Sequence, residues 1–139
     1  MKLKQVPLDI INSFNRNTMM EALHIECIEL GDDYLKSRMP VNQGTHQPAG
    51  LLHGGASAAL IESVGSMGSV LLIDIEKEIP VGLEINANHI TGVRDGHVVA
   101  TGKIVHAGRR THVWQVDIHH EETGKLVCTG RLTVMIIPK

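Results

Sequence analysis

One carboxylate stands apart in this sequence. From Gln47 to Ile73 there is no Lys, Arg or Asp, and the only acidic residue is Glu62. Eight residues before it lies Gly54, in the step His53-Gly54-Gly55. A carboxylate in an apolar run is costly unless it is paired or working. A Gly-Gly step that opens a helix leaves backbone N–H groups free, and these can hold an oxyanion. A carboxylate two turns on can attack a carbonyl or activate water. The competing structural reading has Glu62 bonded to nearby backbone or to Ser66, one turn later.

These residues need a helix to position them. Ala56 to Leu72 is too long for a strand, and Pro48, Gly50, Gly54 and Gly55 mark its entry. Its positions alternate between small residues, such as Ala58, Ser63, Gly65 and Gly68, and aliphatic ones, such as Leu60, Ile61 and Val64. Such a composition predicts burial nearly all round, with other backbones coming close.

The rest of the chain reads as a sheet. Ile25 to Leu30 and Tyr34 to Val41 are strands joined at Gly31-Asp32-Asp33. Leu35, Ser37, Met39 and Val41 share one face. After the helix, Val81, Leu83, Ile85, Ala87 and His89 alternate with polar or small residues. Asp95-Gly96 is a hairpin signal before Val98 to Val105. Thr111 to His119 and Leu126 to Ile137 follow across turns at Gly108-Arg109-Arg110 and Glu122-Thr123-Gly124. Short helices are expected at Pro7 to Phe14 and near Thr18 to Ala22. About six hairpin-linked antiparallel strands and one long helix imply an α+β fold, the sheet curled around the helix. Residues 1–139 form one domain.

Composition excludes several classes. The net charge is −2 and aromatic residues make up 2% of the chain, so neither a basic surface nor stacking platforms for nucleic acid exist. The apolar run around Glu62 is too interrupted for a membrane span. The first residues lack the apolar stretch of a signal peptide, and Cys27 and Cys128 have no paired spacing. Both points suggest a cytoplasmic protein with free buried thiols. Nine His residues invite a metal reading, but no His-x-His or His-Glu-x-x-His spacing occurs, and no metal is expected. His46 and His112 read as surface residues. Ser57 and Ser63 read as packing residues without a nucleophile elbow.

Gln47, His53-Gly54-Gly55, Glu62 and Ser66, with Val81-Gly82-Leu83-Glu84-Ile85-Asn86-Ala87-Asn88-His89, resemble the hotdog-fold acyl-CoA thioesterases. The similar branch is that of 4-hydroxybenzoyl-CoA, phenylacetate-pathway and dihydroxynaphthoyl-CoA thioesterases, which carry a catalytic Glu on the central helix. The likeness runs from about Ile25 to Ile137. It implies Glu62 as nucleophile or general base, and the N–H of Gly54, with Gly55 as near alternative, as the group polarising the thioester carbonyl. It implies supporting roles for Gln47, His53 and Ser66. It also implies a substrate path past Gly82, His89, His106 and Gly108, with Arg109 and Arg110 clamping CoA phosphates and Lys103 and Arg94 as weaker members of that group. For the arginine turn a plain solvated turn is the competing reading. No cofactor is implied, coenzyme A being part of the substrate and product.

Assembly follows from spacing and resemblance together. Gly54 and Glu62 lie roughly 12 Å apart along a helix at 1.5 Å per residue, too far to serve one carbonyl easily. Two antiparallel helices side by side would bring Gly54 of one copy to Glu62 of the other. A homodimer is expected, and the resemblance implies a homotetramer built as a dimer of dimers. The expected substrate is an acyl-CoA or acyl-carrier-protein thioester, aryl or medium-chain. A non-catalytic acyl-CoA-binding module is the alternative, disfavoured because it has no use for Glu62. A hotdog dehydratase is disfavoured because its catalytic pair is not found.

Overall fold

The computed structural model describes residues 1–139. The elements run α1 (Leu8–Ser13), α2 (Met19–Ala22), β1 (Glu26–Leu30), β2 (Tyr34–Pro40), α3 (Gly54–Val70), β3 (Glu78–His89), β4 (His97–Ala107), β5 (Thr111–His120) and β6 (Leu126–Pro138). All six strands form one antiparallel sheet in the order β1-β2-β4-β5-β6-β3. The α+β hotdog arrangement expected from the sequence is therefore present, with α3 packed against the sheet. No helix is long and apolar enough to cross a membrane.

Alternation builds the core. Leu35, Ser37 and Met39 on β2, Trp114, Val116 and Ile118 on β5, and Leu132, Val134 and Ile136 on β6 all turn inward and are buried. They meet α3 at its glycines. A methyl group on Gly65 would overlap Leu132, and one on Gly68 would overlap the Trp114 ring. The small residues of α3 thus let the sheet's largest side chains reach the helix backbone, which offsets their poor helix propensity.

The expectation that α3 is buried nearly all round is not met. Its fully buried residues, among them Ser57, Leu60, Ile61, Val64, Gly65 and Gly68, form one stripe. Ala59, Glu62, Ser63, Ser66, Met67 and Val70 form a second stripe that stays partly open. A single sheet can cover only one side of a helix. The spacing of small residues signals close approach but not how many sides are approached.

The two edges of the sheet differ. At β1 the Asn12 side chain stands in for a neighbouring strand: its Nδ2 donates to the Cys27 carbonyl at 3.0 Å, and its Oδ1 accepts from the Cys27 N–H at 2.8 Å. Asn15 Nδ2 donates to the Ile25 carbonyl at 2.9 Å. At the far edge β3 pairs only with β6. It leaves its other side uncovered, with Val81, Leu83 and Ile85 exposed. An uncapped strand of 12 residues is a template for another chain.

β3 also breaks the expected alternation. The register with β6 slips between Gly82 and Glu84, so Leu83 is an extra, bulged residue. Pro80, Gly82, Ile85, Ala87 and His89 pair with the inward residues Ile136, Val134, Leu132, Gly130 and Cys128. Val81 therefore faces away from the side shared by Ile85 and His89, contrary to the simple two-residue period.

Candidate active site

α3 begins where the chain turns sharply after Gly50, whose φ of 79° suits glycine. His53 is its N-cap, with φ −66° and ψ 130°. Its Nδ1 accepts a hydrogen bond from the Gly55 N–H at 2.7 Å, so the ring proton of the neutral form lies on Nε2. The two glycines are thereby distinguished. The Gly55 N–H is occupied by the cap, whereas the Gly54 N–H donates to no group in the protein. Gly54 is a bare donor at the positive end of a 17-residue helix.

The surroundings of Gly54 include two other residues singled out in the sequence. The His89 ring lies against it, so that a Cβ on Gly54 would come 2.8 Å from Nε2. Gln47 lines the same cavity of about 240 Å³, together with Leu51, Ser57 and Thr91. Gln47 is held by its own turn: its main-chain N–H donates to the Leu51 carbonyl at 2.8 Å, and its side-chain oxygen accepts from the Ala49 N–H. Its amide Nε2 remains free to reach a ligand.

Two turns along, on the open stripe of α3, Glu62 points at β3. A methyl group on Gly82 would overlap its Oε1. Its Oε2 is buried with no hydrogen-bond partner. Burial pushes the Glu62 carboxyl above the usual carboxylate range. No bond to Ser66 forms, so the structural reading of Glu62 as a satisfied carboxylate fails. Ser66 instead lines an apolar cavity of about 450 Å³ with Ser63, Met67 and Val70.

The other candidates fall elsewhere. Arg109 and Arg110 are exposed at the β4–β5 turn, beside a shallow cavity shared with Glu78 and Met135. Neither guanidinium has an ion-pair partner in the chain. His106 is exposed, its Nε2 packed against Gly108. Lys103 pairs with Asp33 at 3.7 Å, and Arg94 donates to the Ala49 carbonyl at 3.3 Å. The structure does not gather these two with the arginine turn. His46 is half-buried, its Nε2 within 2.8 Å of the Arg94 carbonyl oxygen.

His112 corrects the surface reading outright. It is 3% exposed, and its Nδ1 lies 2.9 Å from Ser69 Oγ, which also accepts from Trp114 Nε1 at 2.9 Å. Burial, and secondarily the charge of His106, holds its pKa below the usual imidazole value. Its place in the alternation with Trp114 and Val116 was the signal for burial.

One constellation was not visible in the sequence at all. His97 Nδ1 approaches Glu121 Oε2 at 3.9 Å and Glu122 Oε1 at 3.8 Å, and His120 Nε2 lies 3.0 Å from Glu122 Oε2. Arg38 already holds Glu121 through Nε and Nη2 at 2.9–3.1 Å. The hairpin that assembles it joins positions more than 20 residues apart, which no local motif can show.

Comparison with known proteins fits this geometry. The model of the Thioesterase superfamily matches residues 49–127. The 1,4-dihydroxy-2-naphthoyl-CoA hydrolase of Escherichia coli is 43% identical over 96% of this chain and 97% of its own length. The crystal structure of a Gln-to-Ala mutant of thioesterase PA1618 from Pseudomonas aeruginosa superposes with a TM-score of 0.96 at 42% identity, covering 100% of both chains. Thioesterase SAV0944 of Staphylococcus aureus, solved with a glutamate replaced by alanine and separately with a glutamine so replaced, superposes with TM-scores of 0.84 and 0.83. It is 44% and 43% identical in the two alignments, which cover 87% and 86% of this chain and 99% and 98% of that one. With its family model spanning most of the chain and relatives matching nearly end to end, the chain belongs to the Thioesterase superfamily.

Proposed function

We propose that this protein hydrolyses an acyl-CoA thioester in a site shared by two copies of the chain. The Gly54 N–H of one copy polarises the thioester carbonyl, and Glu62 of the other acts as base or nucleophile. The observation that carries this reading is a pair of unsatisfied groups on one helix: a bare Gly54 N–H and a buried Glu62 Oε2 without a partner. Each lacks a complement within the chain, and each suits one end of the same reaction.

As base, Glu62 takes a proton from water while the water oxygen bonds to the thioester carbon. The carbonyl π electrons move to oxygen, where the Gly54 N–H holds them. Collapse re-forms the carbonyl and expels the CoA thiolate, and the proton on Glu62 returns to it. As nucleophile, Glu62 forms an anhydride with loss of the thiolate, and water then cleaves it. No metal or redox group enters either route. Gln47, free at its amide and lining the cavity beside Gly54, supports the carbonyl or the water in this reading. His53 keeps the Gly55 N–H occupied and the helix start fixed. Arg109 and Arg110, exposed and unpaired, take the CoA phosphates.

The relatives support a choice of substrate class. An aroyl-CoA is first choice because the Escherichia coli relative is named for a dihydroxynaphthoyl-CoA. The pair of residues replaced in the Staphylococcus aureus relative, one Gln and one Glu, lie 15 positions apart, and so do Gln47 and Glu62. Dimer formation rests on the uncapped edge of β3 and the open stripe of α3, and a tetramer on the resemblance alone.

Glu62→Gln tests the reading. Turnover of an acyl-CoA panel should fall by about 10²–10⁴-fold, the usual worth of a general base, with substrate binding kept. A folded variant with wild-type kcat would overturn the role of Glu62.

A further inference from the structure

Beyond Glu62 the open stripe of α3 runs on into the largest apolar cavity beside it. Ser63, Ser66, Met67 and Val70 form one wall, and Ile79 and Pro80 at the start of β3 form another. The third wall belongs to neither the long helix nor the sheet. It is made by Phe14, just after α1, and Met20 on α2.

Resting on the reading of Glu62 given above, we propose that this cavity takes the apolar end of the acyl group and that Phe14 and Met20 set the size it accepts. The cavity begins at the residue next to Glu62 and extends along α3 away from Gly54, so an acyl group whose carbonyl sits at Glu62 can run into it. Its volume of about 450 Å³ and its mainly Met, Val, Ile and Phe lining, with the charged Glu78 and Lys139 also bordering it, suit a fused aromatic ring or a medium alkyl chain better than an acetyl group. The second cavity, at the Gln47 and His89 end, is about 240 Å³ and mixes polar with apolar lining.

The Phe14–Met20 wall is built differently from the other two. α2 buries no residue, and α1 buries only Ile11. The segment is fastened instead by Asn12 to Cys27 and by Asn15 to Ile25. Polar anchors fix where it sits, while Phe14 remains 53% exposed toward the groove. Phe14 therefore alters the groove without removing core, whereas Met20, partly buried against the core, also carries some packing. A hydrophobic pocket discriminates by about 10–200-fold for one methylene, and a ring-sized change at its wall should be felt in that range or above.

The test compares wild type with Phe14→Trp, Phe14→Ala and Met20→Ala on two series of CoA thioesters: acetyl, hexanoyl and dodecanoyl, and benzoyl and naphthoyl. Phe14→Trp should lower kcat/KM for the bulkiest acyl groups by about ten-fold or more relative to acetyl-CoA, through a higher KM. Phe14→Ala and Met20→Ala should raise the bulkiest groups relative to the small ones. The aromatic and alkyl arms separate a ring-shaped from a chain-shaped occupant. If wild type is active and the variants leave the size profile unchanged, or shift every thioester by one factor, the assignment of the groove is wrong while the thioesterase reading stands. If wild type hydrolyses no member of either series, both fall.

Discussion

A buried carboxylate leaves a mark on stability as well as on rate. Burial raises the pKa of Glu62, so the folded state binds its proton more readily than the unfolded state does. Between the two pKa values stability falls as pH rises. Glu62 therefore stabilises the fold only when protonated, and its charged form is a cost borne at the pH where a base is needed. Glu62→Gln removes that cost. Thermal melts should show the variant more stable than wild type at neutral pH, with the gap closing as pH drops below the ordinary carboxylate range. In wild type, activity should fall with acid through a pKa higher than that of an exposed Glu. Gly82 offers a second measurement at the same atom. Alanine there would overlap Glu62 Oε1, the far end of a side chain that can swing aside. Gly82→Ala should fold and dimerise like wild type yet lose about 10²-fold in kcat, the cost of a misplacement of about 1 Å. Unchanged kcat in Gly82→Ala would show that the carboxylate does not act from where it sits.

Among the elements, β3 decides most and was the hardest to foresee. The sequence marked the long helix by its length and its Pro and Gly entry, the six strands by their alternation and turns, and the faces of β2, β5 and β6 by an alternation that their buried residues keep. It did not mark the bulge at Leu83, since Val81, Leu83 and Ile85 alternate as a flat strand would. Nor did it mark which edge of the sheet is closed. Asn12 reaches Cys27 across 15 positions of chain, and a polar residue in a short helix reads as solvent-facing until its strand is in place. His112 was misread for the opposite reason: its polarity outweighed an alternation that already placed it inside. The closed β1 edge and open β3 edge yield a test. Leu83 is 57% exposed and bulges from the open edge. Leu83→Lys costs little within one chain but sets two cations near each other if two copies join there. Analytical ultracentrifugation should find monomer, and thioester hydrolysis should disappear with the dimer. A dimer that persists at full activity would move the interface away from β3.

At the scale of the whole molecule, the site is legible as two halves and invisible as one. The halves lie on α3, and the span from Gly54 to Glu62, roughly 12 Å at 1.5 Å per residue, separates them within a chain. A carbonyl oxygen needs its donor at about 2.7–3.1 Å, while its carbon must meet the carboxylate or the water it activates. A two-fold pair of antiparallel α3 helices satisfies both conditions twice, and it brings each helix over the Ala59 and Glu62 end of the other's open stripe while leaving Ser63 to Val70 clear. Two inactive variants can separate this arrangement from a site within one chain. Glu62→Ala removes the carboxylate. Gly54→Pro removes the donor with little damage, because Gly54 is the first helical residue, where proline is tolerated. His53 already holds the extended φ −66° and ψ 130° that a following proline requires. The His89 ring tip, 2.8 Å from the new carbon, has room to yield at an exposed position. Each homodimer should be inactive. In a mixed dimer one site combines both lesions, and the other combines an intact Gly54 with an intact Glu62. Subunit exchange should therefore restore activity to about half of wild type per mixed dimer, by the two-fold symmetry of the pair. If mass analysis shows the mixed dimer and hydrolysis stays at zero, donor and carboxylate belong to the same chain.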